Sequence, residues 1–339
     1  MAKKKPIKLN KKKCESGLDG MNLTYQIDAD DLQDVCLPPE YLRNQKGNTI
    51  VKIDCICGKI RVFVNAVQDI RPNNTKPLGI VEAINLEIIR PKVTRFIKEY
   101  LQKHLQEKYE DKFVEALKVV SVEVNLTLPC VGHATPSDVI QLIDSALDRT
   151  ALYRKTKVTS RYSKVNTACL YVKEKQYRLK VYDKTEEQRE HRDYFVARKL
   201  LRIECVLISR RLLRTFGKKN LTLSTILSPD GVYKLCCAYK SVFVEEFIPA
   251  IESFLNHAKE TLVESFIDRS AGYTILETLA CHKELICDIE VLRKALQKWY
   301  KLRGVEDRSK QVIYKCRKKD LGLKEDAIRT IRAFHLACG

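Results

Sequence analysis

Three runs of this sequence alternate with period two, and they constrain the fold more tightly than anything else in it. Residues 120–128 set Val120, Val122, Val124, Leu126 and Leu128 against Ser121, Glu123, Asn125 and Thr127. Residues 177–183 set Leu179 and Val181 against Arg178, Lys180 and Tyr182, with Lys184 next in phase, and residues 200–208 set Leu201, Ile203, Cys205 and Leu207 against Arg202 and Glu204. Successive side chains of a strand point to opposite faces, so each run predicts a strand with one face in a core and one polar face. A fourth run, 49–66, alternates on both sides of Gly58 and predicts a hairpin.

The remaining segments fill in around these strands. A strand is expected over 79–89, stopped at Pro91, and a helix over 92–117, where Val93, Phe96, Ile97, Leu101, Leu105, Phe113 and Leu117 form a stripe. Thr135-Pro136-Ser137-Asp138 is a helix start, with Thr as cap and Pro at the first position. Strands at 156–163 and 167–173 precede the 177–183 strand, a helix is expected over 185–198, and the pattern is helical beyond about residue 221. The fold class that results is α+β: an antiparallel-rich sheet with flanking helices plus a helical C-terminal region. The expected organisation is a basic arm (1–20), a main domain (21–228) and a helical, basic accessory domain (229–339).

Charge narrows the partners. The chain carries 62 Lys and Arg against 43 Asp and Glu, a formal charge of +19, and residues 1–13 hold seven lysines and no acid. Such an excess points to a polyanion, and nucleic acid is the leading candidate over a basic surface kept for solubility. No uninterrupted apolar stretch is long enough for a membrane span, and the Lys-rich start lacks a signal peptide's apolar core, so a cytoplasmic address with no membrane partner is expected. The 13 cysteines are odd in number and scattered, which suits reduced, buried thiols better than a disulfide framework or a paired zinc motif.

Chemistry concentrates on the polar faces of the three strands. A phenol at Tyr182 flanked by Arg178, Lys180 and Lys184 is placed to be stabilised as phenolate and to meet a phosphate. Glu123 and Glu204 on separate strands offer oxygen ligands for one Mg²⁺ or Mn²⁺. The plainer alternatives are that Tyr182 is one of 15 tyrosines, and that the two glutamates are solvated or paired with Arg202 and Lys180.

The order of short motifs adds a resemblance. Tyr182, Lys184 and Glu187 form Y-x-K-x-x-E after a strand; Leu201-Arg202-Ile203-Glu204, Ser209-Arg210-x-Leu212 and Phe216-Gly217 follow; and V-S-V-E-V-N at 120–125 comes before. Over roughly 115–225 this resembles the gene II/X family of filamentous phage replication initiators and related rolling-circle plasmid proteins. The resemblance implies a Rep nuclease-like fold and a metal-dependent enzyme that nicks and rejoins one DNA strand at an origin through a 5′-phosphotyrosine. It implies Tyr182 as nucleophile, Lys184 as its electrostatic partner, Glu123 and Glu204 as ligands of Mg²⁺ or Mn²⁺, and Glu187 as a further ligand or a salt-bridge partner. Single-stranded or supercoiled origin DNA, with a host helicase and polymerase, are the implied partners. The sequence departs from the family pattern in having Glu at 123 where Asp is usual and Ser121 where Arg is usual, and no His-x-His pair occurs. Tyr194 is the alternative nucleophile. A mobilisation relaxase with the same chemistry and a non-catalytic DNA-binding regulator on the same fold are the alternative functions.

A second basic region lies at 292–319, where 11 Lys or Arg accompany only Glu306 and Asp307. With Arg178, Lys180 and Arg202 on the strands, Arg293, Lys298, Arg317 and Lys318 are the expected DNA contacts, and Trp299 is either part of that surface or simply core.

Overall fold

The computed structural model describes residues 17–26, 36–65, 86–105, 117–148, 154–158, 168–173, 176–190, 199–218, 220–268, 274–282, 289–318 and 325–338. Among these described residues nine strands, β1 (Gly17–Gln26), β2 (Leu37–Arg43), β3 (Thr49–Ile56), β4 (Lys59–Asn65), β5 (Lys118–Pro129), β6 (Arg154–Val158), β7 (Ala168–Lys173), β8 (Tyr177–Asp183) and β9 (Leu200–Ile208), form one sheet in the order β2-β3-β4-β1-β5-β9-β8-β7-β6. Every neighbouring pair runs antiparallel. The chain is therefore α+β with an antiparallel sheet, as the alternation requires, and β5 and β9 lie side by side within it.

One face of that sheet is the core. Val122, Val124, Leu126, Leu179, Val181, Leu201, Ile203, Cys205 and Leu207 are all buried there, continuous with Val51, Ile53, Val62 and Val64 of the hairpin. The described helices are α1 (Leu86–Leu105), α2 (Pro136–Asp148), the short α3 (Lys184–Glu190), α4 (Ser209–Phe216), α5 (Leu223–Leu227), α6 (Pro229–Ser241), α7 (Ile248–Ile267), α8 (Ile275–Cys281), α9 (Ile289–Arg303), α10 (Ser309–Lys318) and α11 (Glu325–Cys338); α1, α2, α3, α4, α6 and α11 pack against strands, while α8, α9 and α10 pack against other helices. The expected boundary at 228/229 falls where Ser228 caps α6, its hydroxyl accepting from the Gly231 amide at 3.0 Å. The helices beyond it share the core of the sheet, since α6 packs on β1 and β5, α7 on α2, and α11 on α2 and β5.

Between α6 and α7 the helix widens into a π turn, Val242–Phe247, which Ile248 separates from Pro249. Pro249 has no N–H to give and its ring crowds the preceding turn, so the wider turn relieves the ladder there. The same segment stacks Tyr239, Phe243 and Phe247 with centroids 6.2 and 4.9 Å apart. The buried Tyr239 hydroxyl donates to the Ile203 carbonyl at 3.1 Å, anchoring β9 from behind.

Two expectations change, and strand β2 was not anticipated. Residues 86–89 open α1 rather than ending a strand, and the helix runs through Pro91: one lost amide bond is outweighed by burial of Val93, Ile97, Tyr100 and Leu101. Residues 66–85 lie outside the described residues. Strand β1, in which Gly17–Gly20 were expected to belong to the basic arm, was hidden by its glycines and acid and by a register shift between Leu18 and Met21. Strand β2 carries Pro38 and Pro39, tolerable because it is the edge strand. The lysines of 1–13 lie outside the described residues.

Candidate active site on the polar sheet face

The register decides which polar side chains meet. Glu204 of β9 stands opposite Asn125 of β5 on one side and Lys180 of β8 on the other, while Tyr182 stands opposite Arg202. Residues opposite one another in an antiparallel pair share a face, so Glu123, Asn125, Thr127, Arg202, Glu204, Lys180 and Tyr182 all project from the face turned away from the core.

Glu204 organises this face. It is 3% exposed, and a carboxylate taken so far out of water needs partners. Lys180 Nζ donates to its Oε1 at 2.7 Å and the Tyr182 hydroxyl donates to its Oε2 at 3.1 Å. The phenol is thus held by an acceptor able to take its proton. Two ammonium groups flank the ring, Lys180 Nζ at 5.8 Å and Lys184 Nζ at 5.9 Å from its centroid.

Lys184 reaches Tyr182 by a route that alternation did not anticipate. It is the first residue of α3, not a continuation of the strand. Asp183 stops the strand there: its Oδ1 accepts from the Thr185 and Glu186 amides at 2.9 and 3.1 Å, capping the helix. Thr185 Oγ1 then accepts from the Leu200 amide at 2.7 Å, clipping the turn to the start of β9. Lys184 is left 2% exposed and ion-paired with Glu187. Of the two roles expected for Glu187, the salt bridge is the one observed.

Glu123 shares the face but leans the other way. A methyl group placed on Gly20 of β1 would lie 3.1 Å from Glu123 Oε2 and 3.1 Å from the Phe63 ring. The carboxylate therefore rests over the glycine beside that ring, while Glu204 faces β8. Among the described residues no three His, Cys, Asp or Glu side chains gather into a metal-binding group. Glu123, Asn125 and Glu204 place oxygen, the donor type a hard dication takes, on adjacent strands of this face, but the two carboxylates expected to share an ion turn apart and both Glu204 oxygens already accept hydrogen bonds; Glu187, paired with Lys184, does not join them.

Arg202 requires a correction. Expected as a DNA contact, it is fully buried, with Nε donating to Thr127 Oγ1 at 2.8 Å. A guanidinium closed off from solvent supports the sheet and is not available to a phosphate. Arg178 is exposed on the same face, and Tyr194 lies outside the described residues.

In the second basic region Arg293 pairs with Glu290, Lys298 with Glu260 at 2.6 Å and Arg317 with Glu325 at 2.8 Å, and Lys318 is exposed. Trp299 is core, 5% exposed and edge-on to Phe266 and Tyr300. Cys55, Cys205, Cys236 and Cys316 are buried and outside any disulfide. No described helix is long and apolar enough to cross a membrane.

Sequence reasoning missed Asn125, Thr127, Asp183 and Thr185 as members of this constellation. The first two were visible in the polar phase of β5, and an Asp one residue before a K-T-E-E run is an ordinary helix-cap signal. A scan of family models and a search of curated proteins find no match to this chain.

Proposed function

We propose that this chain is a DNA-nicking and strand-transferring enzyme of the Rep nuclease-like kind, with Tyr182 as its nucleophile, acting as a rolling-circle replication initiator. The observation that carries the reading is the hydrogen bond from the Tyr182 hydroxyl to buried Glu204, with Lys180 Nζ and Lys184 Nζ 5.8 and 5.9 Å from the ring centroid. A nucleophile held against a base, with the base held by a third group, is the recurring arrangement of an activated side chain. Here Lys180 is the third group.

The chemistry follows from those contacts. Glu204 takes the phenolic proton as the Tyr182 oxygen attacks phosphorus; the bond from phosphorus to the 3′ oxygen breaks, and that oxygen leaves as a 3′-hydroxyl once it has gained a proton. The 5′-phosphate remains esterified to Tyr182, and attack by a 3′-hydroxyl reverses the step and rejoins a strand. Lys180 and Lys184 offset charge on the phenolate and on the phosphate as it builds. Arg178, exposed beside them, contacts the strand. A Mg²⁺ or Mn²⁺ would be held through oxygen by Glu123, Asn125 and Glu204 and would supply further charge neutralisation at the phosphate.

The polar face itself favours an enzyme over a non-catalytic regulator, since a binding surface has no use for a buried carboxylate beneath a tyrosine hydroxyl. Incubation with 3′-end-labelled single-stranded DNA and Mn²⁺, resolved under denaturing conditions, tests the reading: an enzyme leaves a label that migrates with the protein, and a regulator leaves none.

A further inference from the structure

We infer that α10 is a duplex-reading helix that enters the major groove of DNA, on a surface separate from the Tyr182 face. This rests on the reading above in one respect only, that DNA is the partner.

Helix α10 divides cleanly. Ser309, Val312, Ile313 and Cys316 are buried, while Lys310, Gln311, Tyr314, Lys315 and Lys318 are exposed. Positions 310, 314 and 318 with 311 and 315 form one stripe at four-residue spacing, so a single outward face carries three ammonium groups around a central Gln and Tyr. Arg317 adds a fourth cation at its edge, and no residue of the helix is acidic. Tyr314 is 67% exposed, an unusual cost for a large side chain unless a partner covers it.

The helix is presented on a stiff mount. Helix α9 ends in a left-handed Gly304 with φ of 63°, where the Gly304 amide donates to Lys301 O and the Val305 amide to Tyr300 O, both at 3.2 Å. These two bonds close the helix with the double cap that glycine makes accessible. Asp307 Oδ1 then accepts from the Ser309 amide at 2.8 Å, which starts α10 and holds the Asp307 carboxyl below its usual range. The turn between them also exposes Val305, with Leu302 beside it at the end of α9. Among the described residues flanking the helix, Asp307 is taken up by that cap, Glu306 by Arg308 at 3.6 Å, and Glu325 by Arg317.

Two helices joined at a short glycine turn, the second with a cationic outer face, form a unit that fits a B-form groove about 12 Å wide. A ten-residue helix is about 15 Å long, enough to lie across it. Lys310, Lys315 and Lys318 contact phosphates, while Gln311 and Tyr314 face base edges.

Fluorescence anisotropy on the full chain tests this, using a labelled DNA duplex of about 30 base pairs, the RNA duplex of the same sequence and the single DNA strand. Replacing Lys310, Lys315 and Lys318 together by Gln should weaken duplex DNA binding about tenfold or more and lower the salt slope by about 2 to 3. Tyr314→Ala, a single exposed change, should cost about fivefold on the duplex. Both variants should keep wild-type thermal melting, and Tyr314→Ala should also keep wild-type adduct formation on single-stranded DNA. Wild-type duplex affinity in the triple variant overturns the inference. So does an equal loss on single strands, or equally tight binding of duplex RNA, whose deep, narrow groove does not admit a helix. If the wild type binds duplex through α10 yet forms no adduct on any strand, the nicking reading fails and this one stands.

Discussion

Tyr182 and Glu204, 22 residues apart on adjacent strands, meet through a 3.1 Å hydrogen bond although they are not paired in register. Tyr182 lies opposite Arg202 and Glu204 lies opposite Lys180, so the contact is diagonal, and its reach comes from the length of the phenol. Lys180 occupies the other carboxylate oxygen.

Glu204→Gln keeps the shape and one acceptor but removes the charge. Lys180 is 47% exposed and can turn to water, so stability should change by less than about 1 kcal/mol in urea denaturation. Cleavage of labelled single strands should fall about a hundredfold or more, the usual scale for loss of a general base. Wild-type cleavage by this variant would remove Glu204 from the mechanism.

Lys184→Met separates chemistry from packing. The side chain is nearly solvent-free and its partner Glu187 is 33% exposed, so an apolar replacement of similar volume leaves Glu187 free to hydrate. Stability should hold to within about 1 kcal/mol, while nicking falls at least about tenfold as charge stabilisation is lost. A large fall in melting temperature with normal specific activity would assign Lys184 a structural role only.

Arg202→Ala should act in the opposite sense. Removing a fully buried guanidinium that holds Thr127 should cost about 3 kcal/mol or more in urea denaturation, and DNA affinity measured on the folded fraction should change little. A stable variant with weakened binding would restore Arg202 as a DNA contact.

The strands and their faces were legible in the sequence because alternation is enforced by the pleat itself: every residue from Ser121 to Thr127 lies on the face its phase requires. The carboxylate beneath the tyrosine was legible only in part. Lys184 sits near Tyr182 because Asp183 caps a helix and folds the chain back, a local event that strand periodicity cannot express. Arg202 shows the converse, since a polar phase indicates a face and not its exposure, and this face is partly covered. Strands β1 and β2 escaped because Gly, Asp and Pro obscure them and their pairing is decided by distant partners.

The pairing of Lys298 with Glu260 has a pH signature. Lys259 and Lys298 together hold the Glu260 carboxyl down to about 2 from an ordinary 4.5. A carboxyl lowered by folding contributes stability above its unfolded value, and that contribution is lost as pH falls from about 4.5 to about 2. Carbon-detected NMR should find the Glu260 midpoint well below those of other exposed glutamates, and Lys298→Ala should raise it. An unshifted midpoint would mean that Lys298 is free for DNA.

The central claim is that Tyr182 carries the covalent link, and its most direct measurement is mass spectrometry of the protein after reaction with single-stranded DNA and nuclease trimming. The account predicts a nucleotide-modified peptide containing Tyr182, absent from a folded Tyr182→Phe variant that still binds DNA. A modified peptide centred on Tyr194, or adduct formation undiminished in Tyr182→Phe, would contradict it.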